Sequence, residues 1–393
     1  MVTRSSTRLL RVDTPIIPTI ASLVRDNPGT ISLGQGVVRW APPADLLAKL
    51  PGMMADPLLH RYQAVGGLAP LVDALAVKLK DENAIDVRSG ALIQVTAGSN
   101  MAFLQAVLAV GDPGDEFILP VPFFFNQEMA IRMAGCVPVC VASRKDHQLD
   151  LDAIRQAITA RTRAIITVSP NNPTGAVYPE ADLRAVNELC AQHGLLHFSD
   201  EAYEYFTFEG ARHFSAASLP GAERHTLTFQ SFSKGWGMAS WRCGYVVYPA
   251  ALADAMNKVQ DTNLICAPVA SQLLALELLK QGRQWLEPHL QALAGVRQQV
   301  HESLGGIGAL ASFAKTEGGF YVMVRLPGIK DAMAFSRAMV ERHRVAAIPG
   351  FAFGLTDTAD ANFQRLSFGS LDAQTVAEGV ARFVSAVRDW YRH

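Results

Sequence analysis

The chain carries little charge, few cysteines and no hydrophobic run long enough to cross a membrane. Asp, Glu, Lys and Arg together make up 18% of its 393 residues, and the formal net charge is −1. Because the basic residues form no block, we expect neither nucleic acid nor an anionic membrane surface as a partner. The N-terminal stretch lacks the apolar core of a signal peptide, which predicts a cytoplasmic protein.

The five cysteines show no spacing that is typical of a metal or redox site. No pair has the C-x-x-C spacing, and their number is odd. We therefore expect no metal site, and we interpret the thiols as buried and reduced, as in most cytosolic proteins. They are Cys136, Cys140, Cys190, Cys243 and Cys266.

Apolar residues are abundant instead, at 49% of the chain. Seven β-branched or aromatic runs alternate with amphipathic helical patterns, which predicts an α/β fold with a mainly parallel sheet covered by helices on both faces. The loop between the last two runs is too short for a helical crossover, so we expect that pair to be antiparallel. The runs are LIQVT (92–96), EFILP (116–120), VPVCVA (137–142), AIITVS (164–169), LLHFS (195–199), TLTFQ (226–230) and GYVVY (244–248).

The length of the chain exceeds what one hydrophobic core usually supports. A long helical pattern begins at about Trp285 and leads into further strand and helix patterns, which predicts a second, smaller α+β domain. We expect an N-terminal arm at 1–44 that joins the small domain, a large domain at 45–284 and the small domain at 285–393.

Polar segments follow three of the predicted strands directly, at the sheet edge where open α/β folds bind ligands. In TAGSN, Gly98, Ser99 and Asn100 could present backbone N–H groups to an anion at a helix N-terminus, although Ser and Asn are also ordinary helix caps. SPNNPTG (169–175) could be a plain tight turn. In SDEAY, Asp200 could either serve a ligand or cap a helix.

The segment FQSFSKGWGMASWRCGY (229–245) surrounds one amine with aromatics, small hydroxyls and a single guanidinium. Burial among the neighbouring aromatic and Met side chains would lower the pKa of Lys234 and make its amine a nucleophile near neutral pH, as Schiff-base chemistry requires. Ser231, Ser233 and Arg242 are then available as donors to a phosphate. A solvated surface lysine fits this apolar context poorly.

These motifs occur in a fixed order along nearly the whole chain: NNPTG, DEAY, S-F-S-K with an arginine eight residues later, and R-L-S-F near the C-terminus. Together they resemble the class I and II aminotransferases of the pyridoxal phosphate fold-type-I superfamily. LGQG (33–36) with PP at 42–43 looks most like the branch of kynurenine, glutamine–phenylpyruvate and methionine aminotransferases. The resemblance implies a large domain with a seven-stranded sheet and a small domain that closes on it.

The resemblance also implies pyridoxal phosphate as the cofactor. Lys234 would hold it as a Schiff base and move the proton between substrate and cofactor. Asp200 would pair with the pyridine nitrogen, which keeps that nitrogen protonated. Asn172 and Tyr203 would hydrogen-bond the phenolic oxygen.

Further residues are assigned to the cofactor by the same resemblance. Phe124 would stack on the ring, with Phe123 and Phe125 as competing candidates. The donors expected at the phosphate are Ser99, Asn100, Ser231, Ser233 and Arg242.

The family resemblance places the substrate carboxylate on Arg365, in a two-pronged hydrogen bond that the Gly36 backbone and Asn172 would support. Tyr62 matches a tyrosine that reaches the phosphate of the neighbouring subunit, which implies a homodimer with shared sites.

Three other functions fit the sequence less well than an aminotransferase does. Related carbon–sulfur β-lyases usually carry DEIH where this chain has DEAY. A regulator that senses the cofactor would carry a DNA-binding segment before the fold. In this sequence fewer than fifty residues precede the fold. A ligand-binding Rossmann-like module would leave Lys234 without a role.

The substrate side chain is the least constrained part of the sequence interpretation, because VVRW (37–40) departs from the family pattern near the substrate pocket. Acidic substrates need a second cation, which one branch supplies by a lysine at the position of Asn100; Arg39 is the nearby candidate here. Trp40 and Phe123 to Phe125 suit an apolar, aromatic or thioether side chain. We therefore predict a ping-pong exchange between a neutral amino acid, such as phenylalanine, methionine, glutamine or kynurenine, and a 2-oxo acid, with an aspartate/glutamate type as the alternative.

Overall fold

A computed structural model describes residues 5–355 and 362–392 of the chain. Residues 1–4 of the predicted arm, and 356–361 and 393 of the predicted small domain, lie outside the described residues.

The described strands include seven, between residues 91 and 249, that begin and end within two residues of the predicted apolar runs. The described strands are β1 Ile31–Ser32, β2 Ala91–Thr96, β3 Glu116–Val121, β4 Val137–Ala142, β5 Thr162–Val168, β6 Leu196–Asp200, β7 Thr226–Ser231, β8 Gly244–Pro249, β9 Ser312–Phe313, β10 Tyr321–Leu326, β11 Val345–Ala346, β12 Ile348–Pro349 and β13 Asn362–Ser367.

The α-helices fill most of the intervals between these strands. They are α1 Ile16–Arg25, α2 Ala44–Met53, α3 Ala69–Asn83, α4 Ser99–Val110, α5 Phe125–Met133, α6 Leu151–Gln156, α7 Glu180–His193, α8 Ala253–Asn263, α9 Val269–Gln281, α10 Glu287–Gly305, α11 Ala332–His343 and α12 Ala373–Trp390.

The larger sheet has seven strands in the order β2-β8-β7-β6-β5-β3-β4. All its neighbours are parallel except β8, which runs antiparallel to both β2 and β7. The predicted mainly parallel seven-stranded sheet is confirmed, and so is the antiparallel pairing of the sixth and seventh runs. Because the parallel strands all end at one edge, the polar segments that follow them are brought together there.

Aromatic packing at the centre of this sheet fixes the strand that ends at the site. Phe198 on β6 is fully buried, and its ring contacts those of Phe103, Phe117 and Phe229 at centroid distances of 5.3 to 5.9 Å. Tilted and edge-on aromatic contacts of this kind add to the free energy of burial. Asp200 lies only two residues beyond Phe198, so its backbone rests on a rigid core.

A second sheet of four antiparallel strands, in the order β12-β13-β10-β9, forms the centre of the smaller α+β part. Separately, β1 of the N-terminal segment pairs in parallel with β11, so this segment is hydrogen-bonded to the C-terminal part of the chain. The domain boundaries expected after residues 44 and 284 stay a prediction.

The described part of the chain contains no helix that is both long and apolar enough to span a bilayer. All five cysteines are free thiols. Their expected burial is wrong at two positions, because Cys140 is exposed and Cys266 is partly exposed.

Candidate active site

A cavity of about 410 Å³ lies where β2, β3, β5, β6 and β7 end. Its polar lining consists of residues that the sequence motifs predict, and its apolar lining comes from Phe124 and from short side chains. The predicted residues on its wall are Ser99, Asn100, Phe124, Asn172, Asp200, Tyr203, Ser231, Ser233, Lys234 and Arg242. The others are Val37, Val168, Ala202 and Ala239.

The amine of Lys234 faces a carbonyl oxygen and not a carboxylate. Its Nζ donates to the backbone oxygen of Gly36 at 2.6 Å. Burial, and then the positive charges of Arg365 and Arg242, lower the pKa of Lys234 to about 8, while Asp200 opposes this shift. The amine therefore has a substantial neutral fraction near physiological pH, which a nucleophile or base requires.

Asp200 is held at the floor of the cavity by two donors. Its Oδ2 accepts from Gln127 Nε2 at 2.7 Å, and its Oδ1 accepts from the Ala202 backbone N–H at 3.2 Å. Burial raises the pKa of Asp200 to about 6, although these hydrogen bonds and the charge of Lys234 act in the opposite direction. A cationic ligand group beside this carboxylate would favour its ionised form.

The N-terminus of α4 forms one end of the cavity. Gly98 is its N-cap residue, with φ of +84°, and no side chain caps the helix, so Ser99 and Asn100 are not used as ordinary caps. A Cβ at Gly98 would lie 2.2 Å from Arg242 Nη2, so only glycine allows this guanidinium to approach the helix end. Arg242 also donates to the Ala239 carbonyl at 2.9 Å and lies 3.4 Å from Ser233 Oγ. Hydroxyls, a guanidinium and free helix N–H groups together suit a phosphate.

The NNPTG turn divides its two asparagines between structure and site. Asn171 closes the turn, because its Oδ1 accepts from the backbone N–H and the hydroxyl of Thr174 at 3.1 and 2.8 Å. Asn172 points to the cavity, where its Nδ2 donates to Tyr203 Oη at 3.1 Å and its Oδ1 accepts from Arg365 Nη1 at 2.9 Å. One segment, NNPTG, therefore both forms the tight turn and contributes a side chain to the cavity.

Arg365 on β13 lies behind Asn172 and is only 2% exposed. Besides Asn172, it donates to the Gly34 carbonyl at 2.7 Å, while its Nε has no partner. Its guanidinium lies over the rings of Tyr321 and Phe353, with centroids at 4.6 and 4.9 Å. Within the described ranges no carboxylate forms an ion pair with Arg365, which leaves its charge without an anionic partner. Arg365 is not among the residues that line the cavity, and neither is Gly36.

The three consecutive phenylalanines are separated by the structure. Phe124 lines the main cavity, whereas Phe123 and Phe125 line a different one with Ile16. Trp40 also does not line the main cavity, since its Nε1 donates to the Gly235 carbonyl at 2.7 Å and its ring stacks on His289. Of the four aromatic residues expected around the substrate side chain, Phe124 lines the described cavity, and the expectation is wrong for Trp40, Phe123 and Phe125.

Two predicted residues lie on the surface of the single chain. Tyr62 is 81% exposed, and Arg39 is also exposed. Neither lines the main cavity. A contribution of Tyr62 to a site requires a second subunit.

Sequence reasoning missed two side chains that contact the predicted residues. Gln127 donates to Asp200, and the hydroxyl of Tyr321 lies 2.8 Å from that of Tyr203. Gln127 follows the triple-phenylalanine segment by two residues and could have been found as the first polar residue on the inner face of α5. Tyr321 is a strand residue in GGFYVMVRL, whose pattern indicates only burial.

Comparisons with known proteins agree with this geometry. The family model described as aminotransferase class I and II matches residues 28–383. The chain is 32% identical to aromatic aminotransferase ISS1 of Arabidopsis thaliana, over 99% of this chain and 97% of that protein. It is also 32% identical to a probable aspartate/prephenate aminotransferase of Aquifex aeolicus, over 84% of each. A solved structure of a Pyrococcus protein called protein-A1 matches with a TM-score of 0.90 and 32% identity, over 98% of both chains.

We predict that the Lys234 amine titrates at about pH 8 in protein freed of ligand, whereas an ordinary lysine titrates at about 10.4. Reductive methylation at a series of pH values, read by mass spectrometry of the peptide that contains Lys234, measures the midpoint. Arg365→Gln should raise this midpoint, because it removes a nearby buried cation. A wild-type midpoint equal to that of the other lysines would contradict the burial argument.

Proposed function

The chain belongs to the class I and II aminotransferases, and from this premise we propose that it transfers the amino group of a neutral amino acid to a 2-oxo acid. The observation that carries the proposal is the composition of the cavity wall. Among its described residues the cations are Lys234 and Arg242, the carboxylate is Asp200, and the remaining side chains are apolar or uncharged.

Members of this family use pyridoxal phosphate, and the residues present fit that group. The cavity offers a buried amine, a buried carboxylate, an aromatic ring and a helix N-terminus with a guanidinium beside it. The close approach that Gly98 allows to Arg242 is the feature that most suits a phosphate. When bound, pyridoxal phosphate supplies an electron-withdrawing ring that takes up negative charge as the substrate Cα–H bond breaks.

We assign the polar residues of the wall by their charge and hydrogen-bonding capacity. Asp200 holds a proton on the pyridine nitrogen, since its buried carboxylate favours a cation beside it. Asn172 Nδ2 and Tyr203 Oη would donate to the phenolic oxygen, and Phe124 would pack against the ring. The phosphate is bound by Ser99, Asn100, Ser231, Ser233 and Arg242.

Lys234 is proposed as the covalent attachment point and as the base that moves the proton at the substrate Cα. Its pKa of about 8 serves both roles, because the amine can be neutral when it attacks and can hold a proton afterwards. The Gly36 carbonyl, at 2.6 Å from Nζ, keeps the amine directed to the cavity before any ligand enters.

Arg365 is proposed to bind the substrate α-carboxylate. Its guanidinium is buried, has a free Nε–H and is bonded only to neutral oxygens. A carboxylate would therefore replace weak partners by a charge-assisted, two-pronged hydrogen bond. Asn172 and the Gly36 backbone flank this position.

We infer a neutral substrate side chain because each cation at the site is already assigned to another group. Arg365 and Arg242 are each committed by position to a carboxylate or a phosphate, and Lys234 carries the chemistry. The wall contributed by Val37 and Phe124 offers an apolar side chain favourable burial and gives an acidic one no charged partner.

An acidic donor is the alternative. The relative from Aquifex aeolicus is named as a probable aspartate/prephenate enzyme, and its identity to this chain equals that of the aromatic relative. For this alternative to hold, a cation outside the described cavity wall must reach the substrate, and Arg39 is the candidate from the N-terminal segment.

We further propose a homodimer in which Tyr62 completes the site of the neighbouring subunit. The support is the 81% exposure of this large aromatic side chain together with its match to the family tyrosine. A second chain would bury it and bring its hydroxyl to the phosphate.

The choice of substrate is tested with purified holoenzyme and a panel of donors. We expect kcat/KM for phenylalanine, methionine, glutamine or kynurenine to exceed that for aspartate, because the acidic side chain is left unpaired. Arg39→Gln should change neither value by more than about twofold. An aspartate preference that disappears in Arg39→Gln would overturn the proposal and identify the missing cation.

Asp200→Asn should retain cofactor but lower transamination by at least ~100-fold, because the pyridine nitrogen loses its counter-charge. Single-turnover rates with saturating donor, at matched cofactor occupancy, measure the effect. The matched control is Asp112→Asn, which alters an exposed loop carboxylate and should leave the rate unchanged. Near-wild-type turnover in Asp200→Asn would show that the pyridine nitrogen has a different partner.

Shared sites are tested by co-expression of Tyr62→Ala and Lys234→Ala chains that carry different affinity tags. Each variant alone should be nearly inactive, whereas the purified hybrid dimer contains one intact site and should recover about half of the wild-type activity. A hybrid as inactive as its parents, or a fully active monomer, would refute the exchange of Tyr62 between subunits.

A further inference from the structure

Tyr321 on β10 extends from the smaller sheet to the predicted cofactor residues. It is 1% exposed, and its hydroxyl lies 2.8 Å from that of Tyr203. The guanidinium of Arg365 lies over its ring at 4.6 Å. Since Arg365 bonds Asn172 and Asn172 bonds Tyr203, these four side chains form a closed ring of contacts.

The hydrogen-bonding capacity of Tyr203 limits which hydroxyl donates and which accepts among these four side chains. A phenolic hydroxyl has one proton to donate and two lone pairs that accept. Asn172 Nδ2 can only donate, so it occupies one lone pair of Tyr203. If Tyr321 donates to the other, the single proton of Tyr203 has no protein partner within the ring and is directed to the cavity.

We propose that Tyr321 is a positioning residue whose hydroxyl donates to Tyr203 and thereby directs the Tyr203 proton to the phenolic oxygen of the cofactor. This inference rests on the proposed function, because it needs an acceptor in the cavity. In the opposite orientation, Tyr203 would donate to Tyr321 and would have no proton for the cofactor.

The packing around Tyr321 supports a role for its hydroxyl and not only for its ring. A Cβ at Gly36 would lie 2.7 Å from Tyr321 Oη, so the absence of a side chain at Gly36 makes room for this oxygen. Gly36 is also the residue whose carbonyl accepts from Lys234. The Tyr321 hydroxyl therefore lies against the segment that directs the amine.

The charges that face the two phenols favour this orientation. Burial raises the pKa of both hydroxyls, so both are protonated at neutral pH. The Arg365 cation, which lies over the ring of Tyr321, acts in the opposite direction on both groups, whereas the hydrogen bond between the two hydroxyls raises the pKa of Tyr203 and lowers that of Tyr321. The proton of Tyr321 is therefore the more readily donated of the two. The negative charge of Asp200 favours a proton on Tyr203, whereas Lys234 Nζ, 5.6 Å from the ring centroid of Tyr203, opposes this while the amine is protonated.

The test is a pH titration of cofactor absorbance in holoenzyme, with thermal stability as a second measurement. A directed Tyr203 proton stabilises the phenolate, so Tyr321→Phe should raise the midpoint by about 0.5 to 1 unit, as expected for one neutral hydrogen bond. Tyr203→Phe should raise it at least as much. The double variant should match Tyr203→Phe alone, because Tyr321 acts only through Tyr203.

Tyr178→Phe is the matched control. It removes the hydroxyl of another buried tyrosine, which accepts from Asn171 in the same turn but does not line the cavity. Its titration midpoint should stay at the wild-type value even if the melting temperature falls.

Two outcomes overturn the inference specifically: a midpoint that does not move in Tyr321→Phe, or equal further shifts when Tyr321→Phe is added to Tyr203→Phe. A wild-type protein that gains no pH-dependent cofactor absorbance would instead overturn the proposed function, and this inference with it. If the wild-type cofactor absorbance titrates normally, the proposed function stands, and either of the two outcomes above counts against the role of Tyr321 alone.

Discussion

The site depends on the burial of positive charge without a full set of negative partners. The Lys234 amine is bonded to a carbonyl, and the Arg365 guanidinium is bonded to an amide oxygen and a carbonyl. Such groups destabilise a folded protein unless a ligand or a rigid frame compensates them. Here the frame is the aromatic core beneath β6, and the ligand charges that would compensate are a carboxylate and a phosphate. The same buried positive charges therefore require a rigid frame in the free protein and attract the anionic groups of a ligand.

Most of the large sheet was predictable, because each strand is a continuous apolar run bounded by polar turns. The order of the strands was not. β8 is inserted between β2 and β7, which places Gly244 against Ser99, where a Cβ would lie 2.6 Å from the Ser99 backbone nitrogen. The hydrophobic pattern of β2 and β8 does not indicate that these two strands pair, because packing between distant segments decides it.

The candidate site was predictable where its residues follow strands that end together. Asp200, Asn172 and Lys234 all obey that rule, because parallel strands deliver their C-terminal ends to one edge. Trp40 does not, because a hydrogen bond to the Gly235 carbonyl turns its ring away from the cavity. Tyr321 was missed for a related reason: it enters from a different sheet, and only the tertiary fold brings its hydroxyl to Tyr203.

The pairing of β1 with β11 has a consequence for the synthesis of the chain. Ile31 leaves the ribosome early, yet its partner Val345 is made about 310 residues later, which at roughly 5 to 20 residues per second is a wait of about 15 to 60 seconds. During that interval the segment that carries Gly34 and Gly36 has no strand to join. The large sheet can assemble first, while the amine-directing segment docks only after nearly all of the chain has been translated. The Gly36 carbonyl that accepts from Lys234 is therefore one of the last parts of the site to be fixed in place.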